Sequence, residues 1–379
     1  MRALSFFIPL YLALMRDVVK YLLVSFSLLL FIAVLTILQG HWNYSLFLLL
    51  RSVLLLVLVL ALLRLLYELL QLPRITEGYK NGFLTLFGFG VIVVGAELVF
   101  TFVPVSHGVG FSYAGKNWRF YYESRNAAGF RDQTLAEKDF DQRTVVFIGD
   151  SFTEGQGVRN TTDRFAEQLI KRLGPCYEML LLAKGGMHTR DQIQQLQELD
   201  ITPEIIVFQY YGNDIEGDAN TLGHHRQPIV GYADLSPLSS YFVRASYFLN
   251  YFYWRKARSY LSPYHDFLVQ SYSSDTIMEE HLSSLQQFKE LASQTGADLY
   301  FLGIPYLQDV ELSEQLFLTR LNSLFDDSDK RSYAIDLSPT IRSIPVEDRM
   351  VNRNDPHASE IVHQLIAIEL AERIGGRCH

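Results

Sequence analysis

Residues 145–157 read Val-Val-Phe-Ile-Gly-Asp-Ser-Phe-Thr-Glu-Gly-Gln-Gly. The opening run is apolar and β-prone, and residues 149–157 are rich in turn and capping types. The stretch therefore predicts a short buried strand running into a turn around Ser151, with a helix opening behind it. In an open parallel sheet the carboxyl ends of the strands carry the reactive groups, and the next helix offers unpaired backbone N–H groups to an anion. Ser and Asp are also ordinary N-cap residues, so this stretch alone does not separate a nucleophile from a cap.

Three downstream blocks bear on that choice. Gly185-Gly186-Met187-His188-Thr189 follows an apolar run at 177–182, and Gly212-Asn213-Asp214 follows another at 205–210. Near the C-terminus Asp355-Pro356-His357 immediately precedes an apolar-periodic segment at 359–374, so an acid and a base stand at a helix start. Taken singly, Gly185-Gly186 also suits a plain strand-to-helix turn, and Asn213-Asp214 a plain N-cap.

With Gly149-Asp150-Ser151-Phe152-Thr153-Glu154-Gly155, Gly186, Gly212-Asn213-Asp214 and Asp355-Pro356-His357 in this order, the chain resembles the SGNH (GDSL-type) hydrolases over about residues 122–375. The run 124–132, Ser-Arg-Asn-Ala-Ala-Gly-Phe-Arg-Asp, is similar to the segment leading into the first strand of membrane-anchored members. The resemblance implies a triad of Ser151, His357 and Asp355. A serine hydroxyl needs a neighbouring base with a pKa near working pH, and the base needs a group to fix its tautomer. Members more often space acid and base three residues apart, and this chain has the two-residue spacing. The resemblance also assigns the oxyanion donors to the backbone N–H of Ser151, the backbone N–H of Gly186 and the side-chain amide of Asn213. Glycine lets the backbone approach the substrate, and an Asn amide is a neutral donor.

The remaining histidines read blandly. His363, inside the last helical segment, is expected to be structural, and His188 lies near Gly186 with nothing that obliges it to act. His224-His225 lacks a Cys or carboxylate partner at zinc-site spacing, so neither metal nor cofactor is expected.

Hydrophobicity is uneven along the 379 residues. Stretches 21–38, 45–63 and 82–103 are apolar enough, at about 1.5 Å per residue, to cross a hydrocarbon core of about 30 Å. Residues 1–105 therefore read as an anchor of three spans. The shorter run 4–14, closed by Arg16, Asp17 and Lys20, is expected as an interfacial helix. No small-residue cleavage site comes after it, so a removed signal peptide is not expected. Arg2, Arg16 and Lys20 precede the first span, Arg64, Arg74 and Lys80 cluster about the second loop, and loop 39–44 has no Lys or Arg. By the positive-inside rule this places everything after Pro104 outside the cytoplasm, periplasmic in a Gram-negative cell. Arg51 and Glu97 fall inside spans, where a structural role or an interhelical contact or partner-docking role is open.

Residues 1–105 hold 7 Lys and Arg against 4 Asp and Glu, leaving 26 against 37 downstream, a net of −11. An acidic domain lacks the basic footprint that nucleic acid requires. The two cysteines, Cys176 and Cys378, follow helices that end at the edge of the sheet opposite the strand-end site, on one face if the strand order is flavodoxin-like. In an oxidising compartment they are expected to form a disulfide.

Beyond the anchor we expect a polar connector at 106–143 and an α/β domain at 144–379. Its strands are expected at 144–148, 177–182, 205–210, 298–304 and 333–337, and its helices at 164–173, 190–199, 276–295 and 359–374. That alternation predicts a doubly wound parallel sheet of the SGNH-hydrolase, flavodoxin-like kind. Segment 216–274 breaks the rhythm with an aromatic cluster that includes Tyr251 and Trp254; packing onto the domain is the default reading, and a lid, a substrate wall or a membrane-seating element is the alternative. The expected activity is hydrolysis of short-chain acyl esters, acetyl above all, on a cell-surface glycan through an acyl-Ser151 intermediate. Transfer of the acyl group to a glycan hydroxyl, with a membrane-embedded acyltransferase as partner, is the alternative reading. A glycan-binding or scaffold module that has kept the triad is the rival from another class.

Overall fold

The apolar runs at 145, 177, 205, 298 and 332 become parallel strands. The computed structural model describes residues 2–41, 43–71, 77–108, 110–132, 142–228, 230–256 and 262–375. Within it, β1 (Arg143–Gly149), β2 (Tyr177–Ala183), β3 (Ile205–Tyr211), β4 (Asp298–Ile304) and β5 (Ser332–Asp336) form one sheet in the order β2-β1-β3-β4-β5. All pairings are parallel, with Gly149 opposite Ala183 and Ile148 opposite Phe208. This is the flavodoxin-like doubly wound order, whose switch point lies between β1 and β3.

The helices in chain order are α1 (Arg2–Ile37), α2 (Tyr44–Leu70), α3 (Glu77–Phe100), α4 (Tyr113–Tyr122), α5 (Ser151–Glu154), α6 (Phe165–Leu173), α7 (Thr189–Gln197) and α8 (Glu216–Thr221). They continue with α9 (Pro237–Ala245), α10 (Tyr247–Lys256), α11 (Ser262–Ser273), α12 (Asp275–Thr295), α13 (Val310–Ser313), α14 (Thr319–Phe325), α15 (Ser338–Arg342), α16 (Val346–Arg349) and α17 (Glu360–Ile374). Arg164 and Ser359, expected as first residues of helices, are instead their N-caps, and the Ser359 hydroxyl accepts from the Val362 N–H.

The chain divides into two units. The larger comprises Ser106–Gly110, Tyr121–Ile229 and Arg258–His379. Its interior strand β1 is buried on both faces, as a parallel strand between helical layers must be. Val145 and Phe147 join one core with α6 and α17, whereas Val146 and Ile148 join the other with α7, α12 and α14. The period-2 alternation of β1 thus sorts its side chains between the two cores. A two-stranded antiparallel ribbon, β6 (Met350–Asn352) with β7 (Asp355–Ala358), places the Asp355-Pro356-His357 block in a strand just before α17. Cys176 is in the disulfide-bonded form, and Cys378 lies outside the described residues.

The other unit comprises Met1–Val105, Phe111–Phe120 and Val230–Ala257. It contains three helices long and apolar enough to cross a membrane, Met15–Ile37, Tyr44–Leu70 and Tyr79–Phe100. The run at 4–14 is not a separate helix. It is continuous with the first of these in α1, because neither glycine nor proline stands between Leu10 and Lys20 to break the helix.

Phe208 stacks on Phe288 with ring centroids 3.9 Å apart, and both are fully buried. Truncation of Phe208 to Ala should cost about 3–5 kcal/mol. The expected outcome is a clear drop in the denaturation midpoint of the detergent-solubilised chain, with parent secondary structure retained at low temperature.

Candidate active site

The turn after β1 is held from behind. Gln209, buried on β3, accepts through Oε1 from the Asp150 N–H at 3.1 Å, the Thr153 N–H at 3.2 Å and the Thr153 hydroxyl at 2.8 Å. Gly149 is required for that approach, since a Cβ there would collide with Thr153 Oγ1 and Gln209 Oε1. Asp150 caps the turn by accepting from the Phe152 N–H at 2.9 Å. The far side is fixed by two buried arginines. Arg131 donates to the carbonyls of Gly155 (2.8 Å), Val158 (2.9 Å) and Arg159 (3.0 Å), and Arg164 donates to those of Arg131 (2.8 Å) and Glu154 (3.2 Å). The 124–132 segment singled out by resemblance thus includes an arginine that clamps the Ser151 turn.

Ser151 Oγ lies 2.8 Å from His357 Nε2. His357 Nδ1 is hydrogen-bonded to Asp355 Oδ1, and the two-residue spacing works because the Asp355 carboxylate also accepts from its own strand, from the His357 N–H at 3.3 Å. The second Asp355 oxygen accepts from the Ser106 hydroxyl. Burial disfavours charge on Asp355, but the His357 charge and the hydrogen bonds from His357 and Ser106 outweigh it and hold the carboxyl below its ordinary range. Burial likewise disfavours the imidazolium, yet the Asp355 charge and hydrogen bond prevail and raise the His357 pKa. Ser106 lies far from the blocks in sequence, and no motif signalled it.

The expected oxyanion donors are all at strand ends. Gly186 follows β2 with φ +85°, a left-handed conformation that glycine tolerates, and its N–H has no acceptor among the described residues. The neighbouring Gly185 passes so close that a Cβ on it would lie 3.6 Å from Ser151 Cβ. Its N–H is occupied, donating to Glu154 Oε2 at 2.6 Å, and Glu154 in turn pairs with Arg125. Glu154 therefore ties the Ser151 turn to the Gly185-Gly186 loop. The Asn213 side chain hydrogen-bonds the buried Asp150 carboxyl, whose pKa burial raises against that bond and the Phe152 N–H.

Gly212 and Asn213 stand at the end of a buried polar chain that sequence reading missed. Arg190 Nε donates to Asp218 at 2.6 Å, Asp218 binds His281 Nδ1 at 2.7 Å, and His281 Nε2 lies 2.8 Å from the Tyr210 hydroxyl. Tyr210 and Tyr272 share a hydrogen bond of 2.5 Å, and the Tyr272 hydroxyl donates to the Gly212 carbonyl at 3.0 Å. Burial would raise the Asp218 pKa, but the bonds from His281, Ser284 and Arg190 lower it. Asp214 accepts from the Tyr211 N–H at 2.9 Å and from Gln192 at 3.2 Å, closing the same loop.

The other singled-out residues fall elsewhere. His188 is the N-cap of α7, its N–H donating to Asp191 at 2.8 Å. His363 is buried in α17, accepts from the Phe165 N–H at 3.3 Å, and has its pKa lowered to about 3 by burial and then by Arg164. It is neutral at neutral pH and works as a packing group. His224 and His225 are exposed, and no group of three or more His, Cys, Asp or Glu that could hold a metal occurs among the described residues.

No family model matches the chain, and no curated protein matches it. Among solved structures it is similar to a lipase from a goat rumen metagenome, at 15% identity over 62% of this chain and 99% of that one, with a TM-score of 0.40. It is also similar to a member of the lipolytic G-D-S-L family from Veillonella parvula, at 14% identity over 61% and 97% with a TM-score of 0.38. A carbohydrate acetylesterase family member from Sinorhizobium meliloti aligns at 16% identity over 62% and 97%, with a TM-score of 0.33. Each of these structures aligns over nearly its whole length with about three fifths of this chain.

Proposed function

We propose that this chain is a membrane-anchored serine esterase acting outside the cytoplasm on short-chain acyl esters, acetyl esters of a cell-surface glycan above all. The observation that carries the reading is the 2.8 Å contact of Ser151 Oγ with an imidazole whose other nitrogen is bound to a buried carboxylate. A serine so placed can pass its proton to His357 Nε2 as Oγ adds to the ester carbonyl. The oxyanion is received by the N–H groups of Ser151 and Gly186 and by the Asn213 amide. Collapse expels the alcohol, protonated by His357, and leaves acyl-Ser151. Water, deprotonated by His357, then adds to the acyl carbon and restores Ser151 with release of the carboxylic acid. Asp355 stays ionised throughout and stabilises the imidazolium.

The location rests on charge. Arg16 and Lys20 precede the apolar stretch of the first candidate span, and Arg64 and Lys80 flank the connection between the second and third. Three crossings from a cytoplasmic start leave the sheet on the opposite side. A polymer-bound acyl ester is the substrate class met there by an enzyme tethered to the membrane.

The full-length protein in detergent should release acetate from p-nitrophenyl acetate and from an O-acetylated glycan, and act more slowly on long-chain esters. A preference for long acyl chains would overturn the substrate class. The Asn213→Ala variant should lose about 10²–10³ in kcat through one missing oxyanion donor. Only neutral His357 can take the serine proton, so kcat/KM falls as pH drops through its raised pKa, and the acid limb should lie above the ordinary 6.5. In Asp355→Asn burial remains and the two largest raising interactions are lost, leaving only the weaker pull of Asp150 and Glu154, so that limb should move to lower pH, with kcat reduced by about 10⁴. Loss of the Ser106 hydroxyl in Ser106→Ala removes a hydrogen bond to a charged group and should cost about 10-fold to 100-fold in kcat/KM.

A further inference from the structure

Segment 230–256 departs from the α/β rhythm and belongs to the unit that contains the apolar helices. Within that unit a polar knot fixes it. Arg51, fully buried in α2, pairs with Glu97 of α3 and donates to Thr36 of α1 at 3.2 Å. The Glu97 carboxylate caps α10, accepting from the Ser246 hydroxyl, the Tyr247 N–H at 3.0 Å and the Phe248 N–H at 3.3 Å. An anion at a helix N-terminus is favourable, and the Arg51 guanidinium over the Tyr247 ring, at 4.5 Å, neutralises it from behind. Arg51 and Glu97 thereby hold α10 at the end of α3. Phe100, the last residue of α3, meets Phe248, Tyr251 and Phe252 at ring distances of 5.3, 4.8 and 5.7 Å.

The outward side of this helix pair is apolar. Leu238 and Phe242, one turn apart on α9, are 67% and 53% exposed, and Leu249 and Phe252, one turn apart on α10, are 40% and 42% exposed. Arg244 ends α9, and Arg255 and Lys256 end α10. A helix facing water places polar residues outward, and apolar side chains beside terminal cations are the pattern of a helix lying in the membrane interface. Its depth is set by Glu97 and Phe100, which end the third candidate span. Trp254, by contrast, is buried and stacks on Phe111 at 5.7 Å, so it is a packing residue of this unit.

We propose that α9 and α10 are a non-spanning membrane attachment, with Leu238, Phe242, Leu249 and Phe252 seated at the headgroup–acyl boundary of the leaflet that α3 reaches at Phe100. The occupant of this face is lipid, and the attachment rests on the reading of α3 as a span.

The test is spin-label accessibility on the full-length protein in vesicles of phosphatidylethanolamine and phosphatidylglycerol, labelled without reduction at Phe242→Cys or Phe252→Cys. Leu86→Cys on α3 and Ile361→Cys on α17 serve as references for acyl chain and water. The expected result is a collision ratio of oxygen to nickel chelate between the two references at both test positions. A ratio equal to that at Ile361 would overturn the proposal with the span intact. Protection from both reagents would overturn it in favour of a protein occupant such as a second copy. A water-like ratio at Leu86 as well would bring down the membrane reading itself.

Discussion

The strand-end site depends on the turn from Gly149 to Gly155 being fixed by buried hydrogen bonds from both sides. Gln209 reaches from the neighbouring strand to take three donors, and Arg131 and Arg164 cover the carbonyls. A serine hydroxyl has little reactivity of its own, so its usefulness lies in being held where a base can take its proton. Here the rigidity comes from groups that never meet a substrate. The buried guanidiniums replace the water that the turn's carbonyls would otherwise need, and each carbonyl left unpaired would cost about 1–3 kcal/mol.

The same device links the remaining strand ends. Glu154 joins the Ser151 turn to Gly185, and Tyr272, through Tyr210, His281 and Asp218, braces the Gly212 carbonyl. These connections couple three loops from β1, β2 and β3. We regard the donors proposed for the oxyanion as preorganised by this frame, which is where electrostatic stabilisation gains most over water. In the other unit, Arg51 and Glu97 show the parallel case of charges kept among apolar helices because they hold a further element in place.

Much of the larger unit is legible in the sequence. The strands at 145, 177, 205 and 298 are short β-prone runs bounded by turn residues, and their alternation with amphipathic segments dictates a parallel sheet. Ser151, His357 and Asp355 carry their chemistry in their residue types, and they meet in space. What escapes is what depends on distant pairing. Ser106, Gln209 and the Tyr272 chain have ordinary local contexts, and only the fold brings them to the site. The continuity of α1 escapes because a charge cluster suggests a boundary, whereas ending a helix takes a breaking residue and none stands there. The attachment of 230–256 to the apolar helices cannot be read from composition, since aromatic residues suit a core, a lid and an interface equally.

The proposed catalysis turns on Ser151 being an activated nucleophile. The direct measurement is intact mass spectrometry of the full-length protein after exposure to a fluorophosphonate, beside the Ser151→Ala variant. A single adduct on the wild type, mapped to the peptide containing Ser151 and absent from the variant, is the predicted result. An unmodified wild-type protein with a folded sheet, or an adduct that persists in the variant, would contradict it.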